Sequence, residues 1–150
     1  MPESTPARPR ASAGALIVDT DGRILLVDPT YKPFWNLPGG AVDTGETPRA
    51  ACCRELREEL GLDLPVGPPL VVAWTANGPD GQLFFVFDGG VLSPEQRAAI
   101  VLPPGELAGY AFVPPAEARA LLAEPRRALL AEVLRARADG QTRYLELAGA

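Results

Sequence analysis

Histidine is absent from this 150-residue sequence, and lysine occurs once, at position 32. Without histidine there are no imidazole bases, serine–histidine triads or histidine-containing zinc sites, so proton transfer falls mainly to carboxylates. The only two cysteines, Cys52 and Cys53, are adjacent, which excludes a framework of structural disulfides. No apolar run approaches the about 20 residues of a membrane span, and residues 1–13 lack the apolar core of a secretory signal. We therefore expect a cytoplasmic protein with no membrane partner.

Basic residues are fewer than acidic ones, 14 against 19, and the net charge is −5. This sign disfavours polymeric DNA or RNA as a partner. A small phosphorylated substrate remains compatible, because a bound divalent cation reverses the local charge of a carboxylate site. The length and the 47% hydrophobic content predict one domain with a buried core. We expect a flexible N-terminal tail at residues 1–12 and a single domain over residues 13–150.

Short apolar runs separated by turn residues predict an α/β fold. The expected elements are hairpin strands at 15–18 and 24–27, a loop at 29–47, a helix at 48–60, hairpin strands at 70–75 and 83–87, a strand at 106–113, and helices at 115–122 and 126–138. This order contains several hairpins, so it predicts a mixed sheet with helices on its faces.

The helix predicted at 48–60 contains the residues that most strongly suggest a chemical function. Thr47 suits its N-cap and Gly61 suits its C-terminal stop. At about 100° per residue, Glu55, Glu58 and Glu59 share one face of this helix. Their mutual repulsion costs helix stability, and a Mg²⁺ ion bound by carboxylate oxygens would offset that cost. A solvated acidic face is the alternative interpretation of the same three residues.

The stretch from residue 40 to residue 62 resembles the Nudix box, G-x5-E-x7-R-E-U-x-E-E-x-G-U, where U is aliphatic. All nine specified positions match: Gly40, Glu46, Arg54, Glu55, Leu56, Glu58, Glu59, Gly61 and Leu62. The resemblance implies a Nudix-type α/β/α sandwich with a mixed β-sheet. It also implies a Mg²⁺- or Mn²⁺-dependent hydrolase that cleaves a pyrophosphate bond in a nucleoside diphosphate linked to another group.

The resemblance also implies residue roles. Glu58 and Glu59 are expected to be metal ligands, Gly40 to offer its backbone carbonyl, and Glu55 to be a ligand or the general base. Which carboxylate moves the proton is left open, because coupled carboxylates around a metal cannot be assigned individual proton roles from spacing.

Residues around the three carboxylates complete the expected site. Arg54 and Glu46 are expected to form an ion pair that ties the loop to the helix. Glu106, at the start of the strand predicted at 106–113, is a further candidate metal ligand. Competing carboxylates beyond the box are Asp80, Asp88 and Glu95.

The sequence does not identify the substrate. In ADP-ribose-cleaving relatives a proline about fifteen residues past the box is a marker, but Asn77 stands at that distance after Leu62. Lys32 and Tyr31, before the box, are candidates for a phosphate contact and for base stacking, with solvated loop side chains as the alternative. A homodimer is compatible with the sequence but has no signal in it. The competing functions are a catalytically silent nucleotide-binding module of the same fold and an α/β interaction domain with a coincidental acidic helix.

Overall fold

A seven-stranded sheet and four helices are formed by residues 3–148, which are the residues described by the computed structural model. Along the chain the elements are β1 (Arg10–Val18), β2 (Ile24–Pro29), β3 (Gly39–Ala41), α1 (Pro48–Leu60), β4 (Pro69–Thr75), β5 (Gln82–Val91), α2 (Pro94–Ala98), β6 (Leu107–Val113), α3 (Pro115–Leu121), α4 (Arg126–Asp139) and β7 (Arg143–Leu147). None of the helices in this part of the chain is long and apolar enough to cross a membrane.

The sheet is mixed. Six strands lie in the order β6-β2-β1-β5-β4-β7, and β3 pairs with β1. The β1–β5 and β4–β7 pairs are parallel, whereas β1–β2, β1–β3, β2–β6 and β4–β5 are antiparallel. Both predicted hairpins therefore form.

Helices cover both faces of the sheet, because successive side chains of a strand point to opposite faces. In β1, Leu16 belongs to a buried cluster that includes Leu130 of α4. The next residue, Ile17, belongs to a second buried cluster that includes Leu56 of α1. The predicted α/β/α sandwich is therefore confirmed, with α1 on one face and α3 and α4 on the other.

Helix α1 has the predicted bounds and the predicted caps. The Thr47 Oγ1 accepts a hydrogen bond from the backbone N–H of Ala50 at 3.1 Å. Gly61 adopts a left-handed conformation with φ 68°, and its N–H donates to the Arg57 carbonyl at 2.9 Å. These contacts satisfy backbone groups that a helix end leaves without partners.

Strand β1 begins earlier than the sequence predicts. Arg10 pairs with Gln82 of β5, and Ser12 pairs with both Phe84 of β5 and Ala41 of β3. The end of the tail predicted at residue 12 is therefore wrong by three residues, because backbone pairing orders a segment that has little apolar character. Residues 1–2 of that tail and residues 149–150 of the predicted domain lie outside the described residues.

Three short elements were not predicted. Strand β3 lies inside the loop predicted at 29–47 and contains two glycines, which are weak strand formers. Helix α2 has only five residues. Strand β7 alternates half-buried and exposed side chains at the edge of the sheet, and its charged residues hide that pattern in the sequence.

Candidate active site

The acidic face of α1 lines a cavity of about 650 Å³. Glu55, Glu58 and Glu59 line it from the helix, Gly40 lines it from β3, and Glu106 lines it from the segment before β6. The fold thus brings to one cavity all five residues that the sequence predicts as metal ligands. In contrast, Asp80, Asp88 and Glu95 do not line this cavity as the described residues form it.

Glu59 is the most deeply buried carboxylate of the site, with 6% of its surface exposed. Its Oε1 accepts a hydrogen bond from the backbone N–H of Gly39 at 3.1 Å. Burial, more than the nearby carboxylates of Glu55 and Glu106, raises the pKa of Glu59 to about 8. Burial also raises the pKa of Glu55, which shares a hydrogen bond with Glu59. Burial therefore raises the pKa values of both carboxylates and disfavours their charged forms.

Gly40 allows the loop to approach the helix closely. A Cβ atom at this position would lie 2.4 Å from the Glu55 Oε1 and 2.5 Å from its Cδ, far inside van der Waals contact. A side chain at position 40 would therefore displace the Glu55 carboxylate, which lies against the strand that contains the Gly40 carbonyl.

Arg54 connects the loop to the acidic face. Its Nε donates to Glu46 Oε2 at 2.8 Å, and its Nη1 donates to Glu55 Oε1 at 3.0 Å and Glu58 Oε2 at 3.2 Å. Its Nη2 donates to the Ala41 carbonyl at 3.0 Å. The predicted Arg54–Glu46 ion pair is formed, and the guanidinium lowers the pKa of Glu46 to about 2. Part of the carboxylate repulsion is therefore offset by Arg54 itself.

The site residues fit a hard divalent cation, although their side chains form no ready-made metal cluster. Among residues 3–148, no three carboxylate or thiol side chains are grouped around one point, and Arg54 engages two of the three glutamates. The donors are nevertheless all oxygens, from Glu55, Glu58, Glu59 and the Gly40 carbonyl, as Mg²⁺ and Mn²⁺ prefer. The burial of Glu59 and the clustering of three carboxylates on one helix face are a second sign of fit, because a bound cation would compensate their charge.

The same cavity also has a basic and aromatic part. Lys32 and Tyr31, in the loop after β2, line it together with Phe84 of β5 and Arg126 at the start of α4. Sequence reasoning named Lys32 and Tyr31 but missed Phe84 and Arg126. No local pattern marks Arg126, because only the packing of α4 against the sheet brings it to the cavity.

Comparisons with known proteins show which family the chain resembles and which fold it shares. The family model described as NUDIX domain matches residues 8–134. A CTP pyrophosphohydrolase of Escherichia coli K12 is 32% identical over 111 residues, which are 67% of this chain and 81% of that protein. An RNA pyrophosphohydrolase of Halorhodospira halophila is 42% identical over 53 residues, only 35% of this chain and 29% of that protein. The crystal structure of a MutT protein from Methanosarcina mazei Go1 superposes on this chain with a TM-score of 0.70 at 22% sequence identity. The match covers 93% of this chain and 100% of that protein, which shows that the two share a fold.

Proposed function

Because this chain belongs to the Nudix family, we propose that it is a Mg²⁺- or Mn²⁺-dependent pyrophosphohydrolase acting on a nucleoside diphosphate linked to another group. The observation that carries the proposal is the convergence of Glu55, Glu58 and Glu59 with Gly40 on one cavity. The likeness to a CTP pyrophosphohydrolase, of which the chain covers 81%, supports hydrolysis of a pyrophosphate bond. The relatives named RNA pyrophosphohydrolases match over too little of their length to suggest an RNA substrate.

The carboxylates have distinct places in this proposal. Glu58 and Glu59 would hold the cation together with the Gly40 carbonyl, and Glu106, which lines the same cavity, would be a further ligand. When bound, the cation screens the negative charge of the phosphates and polarises their oxygens. Glu55, whose carboxylate lies against Gly40, would accept the proton of the attacking water. The water oxygen then bonds to one phosphorus, and the bridging oxygen leaves with the other phosphate.

Arg54 would affect the reaction by positioning the carboxylates of Glu55 and Glu58. Its hydrogen bonds to Glu46 and the Ala41 carbonyl fix its guanidinium against the loop, and its bonds to Glu55 and Glu58 set where those carboxylates lie. We propose that Glu46 and Arg54 support the site without contacting the substrate. A cytoplasmic location and a homodimer stay predictions.

The proposal is tested by a phosphate-release screen over nucleoside triphosphates, nucleotide sugars, ADP-ribose, dinucleotides and dinucleoside polyphosphates, with and without Mg²⁺. Glu58→Gln and Glu59→Gln each keep the side-chain shape but remove a ligand charge, so turnover should fall at least about 100-fold. Glu117→Gln on α3, exposed and outside the cavity, is the matched control and should keep full turnover.

Two results would contradict the proposal. Near-normal turnover of both cavity variants would show that the reaction occurs elsewhere. Binding of nucleotides by the unaltered protein with no turnover of any of them, in any metal, would identify a silent binding module of the same fold.

A further inference from the structure

Three basic side chains line the cavity from segments outside the acidic motif: the exposed Arg10 of β1, Lys32 and Arg126. Lys32 belongs to the loop after β2, and Arg126 is the first residue of α4. Both side chains line the cavity, and the charge of Arg126 lowers the pKa of Lys32, in addition to the larger effect of burial. The two positive charges therefore face the same cavity.

Neither cation has a carboxylate partner within the described part of the chain. Other arginines of this protein do: Arg54, Arg97 and Arg143 each contact a carboxylate. The carboxylate of Glu124, two residues before Arg126, accepts instead from the backbone N–H of Ala128 at 3.3 Å.

The environment of Arg126 makes the missing partner costly. This residue is half-buried, and its guanidinium carbon lies 5.4 Å from the centre of the Phe84 ring. The ring offers a favourable contact for a cation but carries no net negative charge. A half-buried guanidinium that shares a cavity with an ammonium group is stabilised best by an anion, and its planar fork matches the oxygens of a phosphate group.

We propose that Lys32 and Arg126 form a second anion-binding subsite, which takes a phosphate group of the substrate other than the pyrophosphate held at the acidic face. The kinetic part of this inference rests on the proposed function, whereas the binding part does not. A substrate with an additional phosphate, on a ribose or at the end of a polyphosphate chain, would engage both parts of the cavity. A neutral nucleobase would leave the two positive charges without compensation.

Binding is tested without turnover, by calorimetric titration of inorganic pyrophosphate into the full chain in EDTA. The unaltered protein should bind pyrophosphate, and Lys32→Gln and Arg126→Gln should each weaken binding about 10- to 100-fold, as expected for lost charge-assisted hydrogen bonds. Arg126→Lys should retain part of the affinity. Arg137→Gln, an exposed position on the same helix and outside the cavity, changes the net charge equally and should bind as the unaltered protein does. Equal pyrophosphate affinity in the unaltered protein and Arg126→Gln would overturn the proposal.

Kinetics then separate the sources of the phosphate. ADP-ribose is compared with its 2′-phosphate, and CDP with CTP, because each pair differs by one phosphate group. In at least one pair, Arg126→Gln should raise KM about 10- to 100-fold for the member with the additional phosphate while kcat changes less than about twofold. Equal changes for both members of both pairs, or changes that follow the identity of the base, would overturn the proposal.

The two experiments also distinguish this inference from the proposed function. If no substrate is hydrolysed, the proposed function fails, but the pyrophosphate titration in EDTA still decides whether Lys32 and Arg126 bind an anion. If turnover depends on Glu58 and Glu59 while Arg126→Gln changes neither binding nor KM, the proposed function stands and the second subsite is refuted.

Discussion

A glycine can be essential because of the atom it lacks. Gly40 has no left-handed φ angle, so its backbone would accept a side chain without strain, yet a Cβ would collide with the end of the Glu55 side chain. A flexible carboxylate can move away, so the cost of a methyl group at this position falls on the geometry of the site and little on the stability of the fold.

Gly40→Ala is therefore expected to reduce turnover about 10- to 100-fold while changing Tm by less than about 3 °C, because small misplacements of a catalytic group are costly. Initial rates and thermal melts of the same preparation check this. Gly109→Ala is the control, since a Cβ there meets nothing within 4 Å. A variant with full activity would show that the close approach to Glu55 has no part in the reaction.

The contribution of Glu46 to the stability of the folded protein depends on pH, because Glu46 forms an ion pair with Arg54. Arg54 lowers the pKa of Glu46 from its ordinary 4.5 to about 2. A carboxylate with a lowered pKa in the folded state stabilises the protein above about pH 4.5 and loses that contribution as the pH falls towards 2.

Glu46→Gln should therefore melt below the unaltered protein at pH 7, and the difference in Tm should shrink between pH 4.5 and pH 2. Thermal melts at half-unit pH steps measure it. A difference in Tm that stays constant over this range would mean that the charge of Glu46 is irrelevant to the stability of the loop.

At the scale of elements, α1 depends on its caps, because it begins directly after an irregular loop. Thr47→Ala removes the acceptor for the Ala50 N–H and should cost about 1 kcal/mol, or about 2–4 °C in Tm. Thr47→Ser keeps the hydroxyl oxygen and should melt close to the unaltered protein. An equal loss in both variants would point to the Thr47 methyl group rather than to the cap.

Elements with strong local signals could be predicted from the sequence, and elements held by distant partners could not. The bounds of α1 follow from Thr47, Pro48 and Gly61, all within or next to the helix. Strand β3 exists only because Gly39, Gly40 and Ala41 pair with β1, and nothing in three small residues announces that pairing. The register of β7 beside β4 has the same origin.

At the scale of the whole molecule, the first residues of β1 join two regions that are far apart in sequence. Arg10–Ser12 pair with β5, and Ser12 also pairs with β3, which carries Gly40. A chain shortened to start at residue 10 should melt within about 2 °C of the full chain. One that starts at residue 13 should lose several degrees in Tm and part of its activity, because strand pairs next to the cavity are removed. Equal Tm values for the two shortened chains would restore the tail boundary at residue 12.

The candidate site shows the same division between local and distant information. Glu55, Glu58 and Glu59 could be predicted because a helical period places them on one face, and Glu46 because its motif position is fixed. The place of Arg126 in the site could not be predicted, because it results from the packing of α4 on the sheet. The spacing of residues along the sequence does not reveal that packing.

The single lysine of the sequence makes selective chemical labelling of a lysine side chain possible. Lys32 offers the sole ε-amine of the sequence, it lines the cavity, and burial lowers its pKa, which leaves more of the nucleophilic free amine at mild pH. An acylating dye would therefore mark one lysine side chain, beside the place where substrate is proposed to bind. Acylation would also remove the positive charge of Lys32, so the modified protein should bind pyrophosphate less tightly than the unmodified protein, which tests the second subsite without an engineered residue.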